Sequence, residues 1–277
     1  MSSTHLTRDQ ITAYEQEGYV SPIPVFAAEE MADKRELLGR LEARHAGRIP
    51  PTHNVKPHLL APWLWDLVHD PRIVDPVEDV LGPDILCWAC GFFDKRTGEL
   101  HHVPWHQDAT YWGLTAPAAL TAWVAFTPSN TSNACMRVMP RTHGAPLAHV
   151  DTKDRFNMLP GRETVVADID ETQAVDIVLA PGEMSLHHLL LIHGSGKNTS
   201  GERRCGLAIR YIAGHLGKAN GARGTATLIR GRDHGQFELE QAPEDDYHPA
   251  AVKRYEEILR RWMRGVFDEI SRQGTGT

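Results

Sequence analysis

The 277-residue chain is 41% hydrophobic and 23% charged, with a formal net charge of −7. That composition is ordinary for a globular enzyme and gives no electrostatic case for nucleic acid or an anionic membrane as partner. No run approaches the roughly 20 apolar residues of a membrane span, and residues 1–6 lack the basic and apolar regions of a secretory signal. A cytoplasmic protein acting on a small molecule is the expectation, with its oligomeric state left open.

Thr7-Arg8-Asp9-Gln10 has the spacing of a capping box and opens a helix carrying Ile11, Tyr14 and Tyr19. A short strand with two prolines follows at 20–26. A second helix spans 27–44, with Met31, Leu37, Leu38 and Leu41 as its apolar positions. A polar loop at 53–62 leads into shorter helices at 62–69 and 73–81, stopped by Gly82-Pro83. Beyond Pro83 the texture changes to short apolar runs at 85–93, 119–126, 135–139, 175–179, 184–193 and 204–212, separated by Pro, Gly, Asn and Asp. Such spacing predicts an antiparallel barrel or jelly roll. Residues 252–267 then read as an amphipathic helix with Tyr255, Ile258, Leu259, Trp262, Met263 and Val266 on one side. The expectation is one domain over 1–277: a helical part to about 82, an all-β core over about 83–215, and a C-terminal helical part over about 216–277.

Cys87 and Cys90 spell Cys-x-x-Cys, but they lie in an apolar strand pattern that sends positions i and i+3 to opposite faces. No second pair completes a zinc site. With Cys135 and Cys205 they read as buried thiols.

The chemistry concentrates in Trp105-His106-Gln107-Asp108. On an extended strand, His106 and Asp108 share a face and stand about 6–7 Å apart along the backbone, close enough to converge on one metal ion. The third donor must come from elsewhere, and His193 is the best candidate: it closes the apolar run 189–192 and precedes Gly194-Ser195-Gly196. Two histidines and one carboxylate form the facial triad of non-haem Fe(II) oxygenases. On the strand ending at His193, parity turns His187, Leu189, Leu191 and Ser195 inward and His188 outward. On the next strand Arg204, Gly206, Ala208 and Arg210 share a face. An arginine flanked by small residues beside a metal site suits a planar carboxylate.

These residues resemble the phytanoyl-CoA dioxygenase family. The likeness rests on His106-x-Asp108, His193-Gly194-Ser195-Gly196-x-Asn198 and Arg204 eleven residues after the second histidine. It extends to Tyr111-Trp112, to Met136-Arg137-Val138-Met139-Pro140-x-x-His143 and to the opening helix. The resemblance implies a double-stranded β-helix (a cupin-like jelly roll) flanked by N- and C-terminal helices. It implies Fe(II) bound by His106, Asp108 and His193, with 2-oxoglutarate and O₂ as cosubstrates. Arg204, assisted by Ser195, would hold the distal carboxylate of 2-oxoglutarate, and Trp123 would line its pocket. The family often has Pro-Gly-Ser-His where this chain has Pro140-Arg141-Thr142-His143.

The activity so implied is hydroxylation of an unactivated C–H bond, with release of succinate and CO₂. The expected substrate is a small anionic or zwitterionic metabolite such as an amino acid, an organophosphonate or a natural-product intermediate. Tyr111 and Trp112 would wall its pocket, and Arg210 or Arg141 would anchor its negative group; Lys95 and Arg137 are further candidate cations. If Arg210 meets no substrate anion, Asp233 or Glu183 is its expected internal partner. An acyl-CoA substrate, desaturation and cyclisation stay open. Halogenases on this scaffold replace the carboxylate ligand with Gly or Ala, whereas Asp108 is present. From another class, a cupin-like metal-binding protein or isomerase would need the triad without Arg204.

Overall fold

The computed structural model describes residues 5–159, 161 and 163–274, with side chains described except at 110, 111 and 266–274. The N-terminal part supplies α1 (Arg8–Glu17), β1 (Tyr19–Pro24), α2 (Ala28–Ala43), α3 (Pro62–Val68) and α4 (Pro71–Leu81). There follow β2 (Ile85–Lys95), β3 (Val103–His106), β4 (Ala119–Ala125), β5 (Met136–Val138), β6 (His149–Asp151) and β7 (Glu163–Val165). The chain continues through β8 (Val175–Ile177), β9 (Glu183–His188), β10 (His193–Ser195), β11 (Arg204–Ala213), β12 (Thr225–Arg230), β13 (Glu238–Leu239) and α5 (Pro249–Gly274). The capping box forms as predicted: the Thr7 side chain accepts from the Gln10 backbone, and the Gln10 side chain accepts from the Thr7 backbone. No helix among the described residues is long and apolar enough to cross a membrane.

A seven-stranded sheet runs in the order β1-β9-β4-β11-β2-β12-β13, and a four-stranded sheet in the order β3-β10-β5-β8. Period-2 alternation gives the large sheet two different faces. One face carries Phe92, Val124, Met184, Leu207 and Ile209 into a core shared with Tyr14, Met31, Leu38, Leu64, Val68 and Val77 of the helices. Each such large apolar side chain contributes about 1.5–3 kcal/mol on burial. The other face carries Trp123, Ala125 and Ala208 against Met136, Val138 and Ile177 of the small sheet. The space between the sheets is the one that holds the site.

Four expectations change. Tyr19 opens β1 instead of riding on α1, because Gly18 in the left-handed region (φ 85°) caps the helix after Glu17. The run at 184–193 is not one strand: β9 ends in the large sheet at His188, a turn follows, and β10 begins at His193 in the small sheet. The β core also runs past residue 215, because β12 pairs with β2. Finally, the register between β11 and β2 shifts between Arg210 and Tyr211, which pair with Ala89 and Cys87. This bulge at Trp88 breaks the alternation. Cys87 and Cys90 therefore enter the same helix-facing core instead of opposite faces, and both remain buried free thiols.

Candidate metal centre and cosubstrate pocket

β3 and β10 are antiparallel, with His106 and His193 as cross-strand partners and their ring centroids 4.1 Å apart. Each ring is aimed through its Nδ1. That of His106 donates to the carbonyls of Pro104 and His193, both at 3.0 Å, and that of His193 to the carbonyl of Leu191 at 2.9 Å. A histidine held in this way presents its Nε2 lone pair, the form in which neutral imidazole ligates a metal.

β3 stops at His106, but Gln107 stays extended (φ −112°, ψ 135°) before Asp108 opens a short 3₁₀ turn. That single extended residue keeps Asp108 on the side of His106. Gln107 points the other way and is buried: its amide donates to the carbonyls of Ala145 (3.0 Å) and Leu190 (2.7 Å) and accepts from the Leu147 N–H at 2.7 Å. The Thr121 hydroxyl on β4 donates to Asp108 Oδ2 at 2.8 Å. Donor atoms of His106, Asp108 and His193 all lie within 4.8 Å of one another, and all three residues are buried.

Burial holds the His193 ring well below the ordinary histidine range, reinforced by His106 and His187, so it stays a neutral donor. Burial alone would raise the Asp108 carboxyl. The His106 and His187 rings, with His193 and Arg210 nearby, outweigh it and hold the group well below the ordinary carboxylate range. Two imidazoles and a carboxylate fit a divalent transition-metal ion.

Deeper between the sheets lie two buried cations. Arg204 is 2% exposed; its guanidinium donates to the Ala134 carbonyl at 3.1 and 2.8 Å and to Ser195 Oγ at 3.1 Å, and stands 5.4 Å from the Trp123 ring centroid. Lys95 pairs with Arg204 across the β2–β11 ladder and is 0% exposed. Its ammonium donates to Ser195 Oγ at 2.6 Å, to the Ser195 carbonyl at 3.0 Å and to the Gly196 carbonyl. Among the described residues neither cation forms an ion pair. Burial pushes Arg204 down to about 10; burial and then the nearby Arg204 push Lys95 down to about 6. Gly206 keeps this space open, since a Cβ there would meet the Trp123 ring at 2.2 Å.

The pocket so formed is lined by His106, Asp108, His193, Arg204, Ser195, Trp123 and Arg210, so seven of the residues given a binding role in the sequence share it. His187 and Thr121 line it too. His187 is 1% exposed, with Nε2 3.8 Å from Asp108 Oδ2. Strand parity with Trp123 turns Thr121 inward, but its meeting with Asp108 could not be read from parity because it depends on where β4 passes β3. Lys95, a candidate substrate cation in the sequence, instead points at Ser195 beside Arg204.

Two predicted substrate contacts fall elsewhere. Trp112 is fully buried and stacks on Trp88 at 4.9 Å, because the 3₁₀ turn after Asp108 swings it into a separate apolar cluster. Arg141 is an exposed cation whose guanidinium donates to Glu17 at 2.8 and 3.0 Å. The Tyr111 side chain lies outside the described residues. Arg137 pairs with Glu171 at 2.6 Å. Of the carboxylates proposed for Arg210, Glu183 accepts from the Ala180 N–H at 2.7 Å and Asp233 from the Gly235 N–H at 2.9 Å, whereas the carboxyl that Arg210 helps to hold low is that of Asp108.

Comparison with known proteins gives this geometry its context. Bovine (Bos taurus) peroxisomal phytanoyl-CoA dioxygenase is 30% identical over 155 residues, covering 54% of this chain and 44% of that protein, so the chain spans under half of that relative's length. A probable alpha-ketoglutarate-dependent hypophosphite dioxygenase of Stutzerimonas stutzeri is 26% identical over 226 residues, covering 74% of this chain and 78% of the relative. The solved structure of ThoJ in its apo form, described as a non-heme monooxygenase, is 31% identical. It has a TM-score of 0.83 and covers 95% of this chain and 100% of that one. The phytanoyl-CoA dioxygenase (PhyH) family pattern matches residues 14–206, which hold the whole triad, Lys95, Ser195 and Arg204. The chain belongs to the phytanoyl-CoA dioxygenase family of Fe(II)- and 2-oxoglutarate-dependent oxygenases.

Proposed function

We propose that this chain is an Fe(II)- and 2-oxoglutarate-dependent hydroxylase of a small anionic metabolite, with His106, Asp108 and His193 as iron ligands. Arg204, Ser195 and Lys95 hold the distal carboxylate of 2-oxoglutarate. The observation that carries this reading is the pair of buried basic groups beside the triad, the charged Arg204 and a Lys95 that takes up a proton when an anion arrives. A buried charge is costly unless an opposite charge meets it, and among the described residues Lys95 and Arg204 form no ion pair. A dicarboxylate entering between the sheets supplies the missing charge. When bound, iron with 2-oxoglutarate and O₂ provides the oxidising power to hydroxylate an unactivated C–H bond, with release of succinate and CO₂.

The chain's own residues position and insulate. Carbonyl partners on both Nδ1 atoms fix the imidazoles, the Thr121 hydroxyl fixes Asp108, and Gln107 ties the Asp108 turn to the 145–147 loop and to Leu190. The planar guanidinium of Arg204 matches a carboxylate with two parallel N–H bonds. Trp123 closes the wall beside it, keeping water from the pocket. Arg210, on the same face of β11 as Arg204, lines the pocket and is the cation for the substrate's negative group. The Stutzerimonas relative is named for hypophosphite, itself a small anion, which agrees with this class. We place the enzyme in the cytoplasm, with neither nucleic acid nor membrane as partner. A metal-binding protein of another kind would have no use for two buried cations beside the metal.

The test is spectroscopic. Under anaerobic conditions the Fe(II)-loaded protein should develop a visible metal-to-ligand charge-transfer band when 2-oxoglutarate is added. A protein that binds iron tightly and shows no such band refutes the proposal.

A further inference from the structure

Phe93 and Arg210 line the metal pocket and also a second cleft of about 360 Å³. Apart from Thr52 and Asn54, the other walls of that cleft are mainly apolar and aromatic: Trp88 from β2, Met158 and Leu159 from the loop before β7, and Trp262 and Met263 from α5. Trp88 is 4% exposed and held rigid by its stack on Trp112, with interplanar angle 24°. The Trp262 ring leans on it at 5.9 Å. The segment 51–55 seats against the sheet because Gly91 lacks a side chain, a Cβ there meeting the Asn54 carbonyl oxygen at 2.5 Å. Arg210 stands at the junction, its guanidinium 5.9 Å from the Phe93 ring centroid. The family match ends at residue 206, so Arg210, Trp262 and Met263 belong to the part of the chain that it does not describe.

We propose that the substrate is an amphipathic anion, its carboxylate or phosphonate held at Arg210 and its apolar body filling the cleft between Trp88, Trp262 and Met263. Trp262 is then a specificity-determining residue. The proposal rests on the hydroxylase reading and narrows it from small anions in general. A compact polar metabolite leaves these aromatic walls unmatched, whereas charge at one end and an apolar body at the other match both parts of the space. A volume of about 360 Å³ equals roughly twelve water volumes, so the body it takes has about ten non-hydrogen atoms. With the head at the junction, the carbons nearest it are those presented to the metal pocket.

The experiment titrates the Fe(II)- and 2-oxoglutarate-loaded protein anaerobically with straight-chain carboxylates from acetate to decanoate. It reads tryptophan fluorescence for the cleft and the charge-transfer band for the metal. Affinity should rise about fourfold for each methylene that the cleft buries, levelling off once it is full. Trp262→Ala should flatten the series, with decanoate losing tenfold or more. Met263→Glu changes a residue that is 37% exposed, so folding tolerates it; its carboxylate at the rim should weaken decanoate several-fold. If the band forms but the series is flat, or alanine binds more tightly than decanoate, the substrate class is wrong and the hydroxylase reading stands. If the band never forms while fluorescence still reports a rising series, the hydroxylase reading fails and the cleft's ligand class survives.

Discussion

Lys95 ties cosubstrate affinity to pH in a way that can be worked from its surroundings. Its ammonium sits at 0% exposure beside a second buried cation, and its group is pushed down to about 6. Before 2-oxoglutarate enters, Lys95 is therefore mostly neutral at pH 7.5. A carboxylate arriving within hydrogen-bond reach of Ser195 favours the charged form, so binding takes up a proton. Above about pH 6, each unit of pH costs about 1.4 kcal/mol of binding, a tenfold rise in Kd. Between pH 6.5 and 8 the loss should approach 30-fold, the slope ending where the bound-state value is reached. Arg204, near 10, stays charged throughout and adds no slope. The assay is a charge-transfer titration of iron-loaded protein at several pH values, with calorimetry in buffers of different ionisation enthalpy to count the proton. Lys95→Met should bind more weakly and without slope. A wild-type Kd that is flat over this range, or a slope retained in Lys95→Met, refutes the reasoning.

Further outcomes follow from the same geometry. Arg204→Ala truncates a buried charged partner, worth about 2–5 kcal/mol, so the apparent 2-oxoglutarate constant should rise well over tenfold; Arg204→Lys should recover only part, and an unchanged constant would move the role to another cation. His106→Ala or His193→Ala should abolish iron retention, read by metal analysis, and full retention in either would remove it from the ligand set. Asp108→Asn should cut turnover at every pH, since an amide is the poorer ligand for a hard cation; a mere shift of the pH profile would make Asp108 a base instead. Trp112→Ala should cost about 3–5 kcal/mol of stability as a core truncation, read as a lower Tm with the 2-oxoglutarate constant unchanged. Arg141→Ala removes an exposed ion pair worth about 0–1 kcal/mol and should leave both turnover and Tm near wild type.

Local signals made the architecture legible where the chemistry of a few neighbouring residues decides it. Thr7 and Gln10 announce the first helix because each satisfies the other's backbone, and the apolar positions of 27–44 announce the second. What stayed hidden needs knowledge of which strand lies beside which. Nothing in 184–193 says that the run leaves one sheet at His188 and joins another at His193, because no Gly, Pro, Asn or Asp interrupts it. The bulge at Trp88 is a mismatch in length between β2 and β11, and a mismatch belongs to the pair, never to one strand.

The candidate site divides along the same line. His106 and Asp108 could be read together because one extended residue separates them, and their parity survives the end of β3 only because Gln107 remains extended. Trp112, four residues further on, could not be read by parity, since the 3₁₀ turn had already replaced the period of the strand. Arg141 and Lys95 show the other limit. Both are cations near suggestive sequence, yet Arg141 finds Glu17 at the surface while Lys95 is buried opposite Arg204. What separates them is desolvation: an exposed cation needs no partner, whereas a buried one must be answered by a hydrogen-bond set and a charge. Lys95 and Arg204 have the hydrogen-bond set in Ser195, Gly196 and Ala134, all neutral oxygens. The charge that answers Arg204 and draws a proton onto Lys95 has to arrive with the cosubstrate, and so these two buried basic groups, rather than any motif, tie the metal triad to a dicarboxylate.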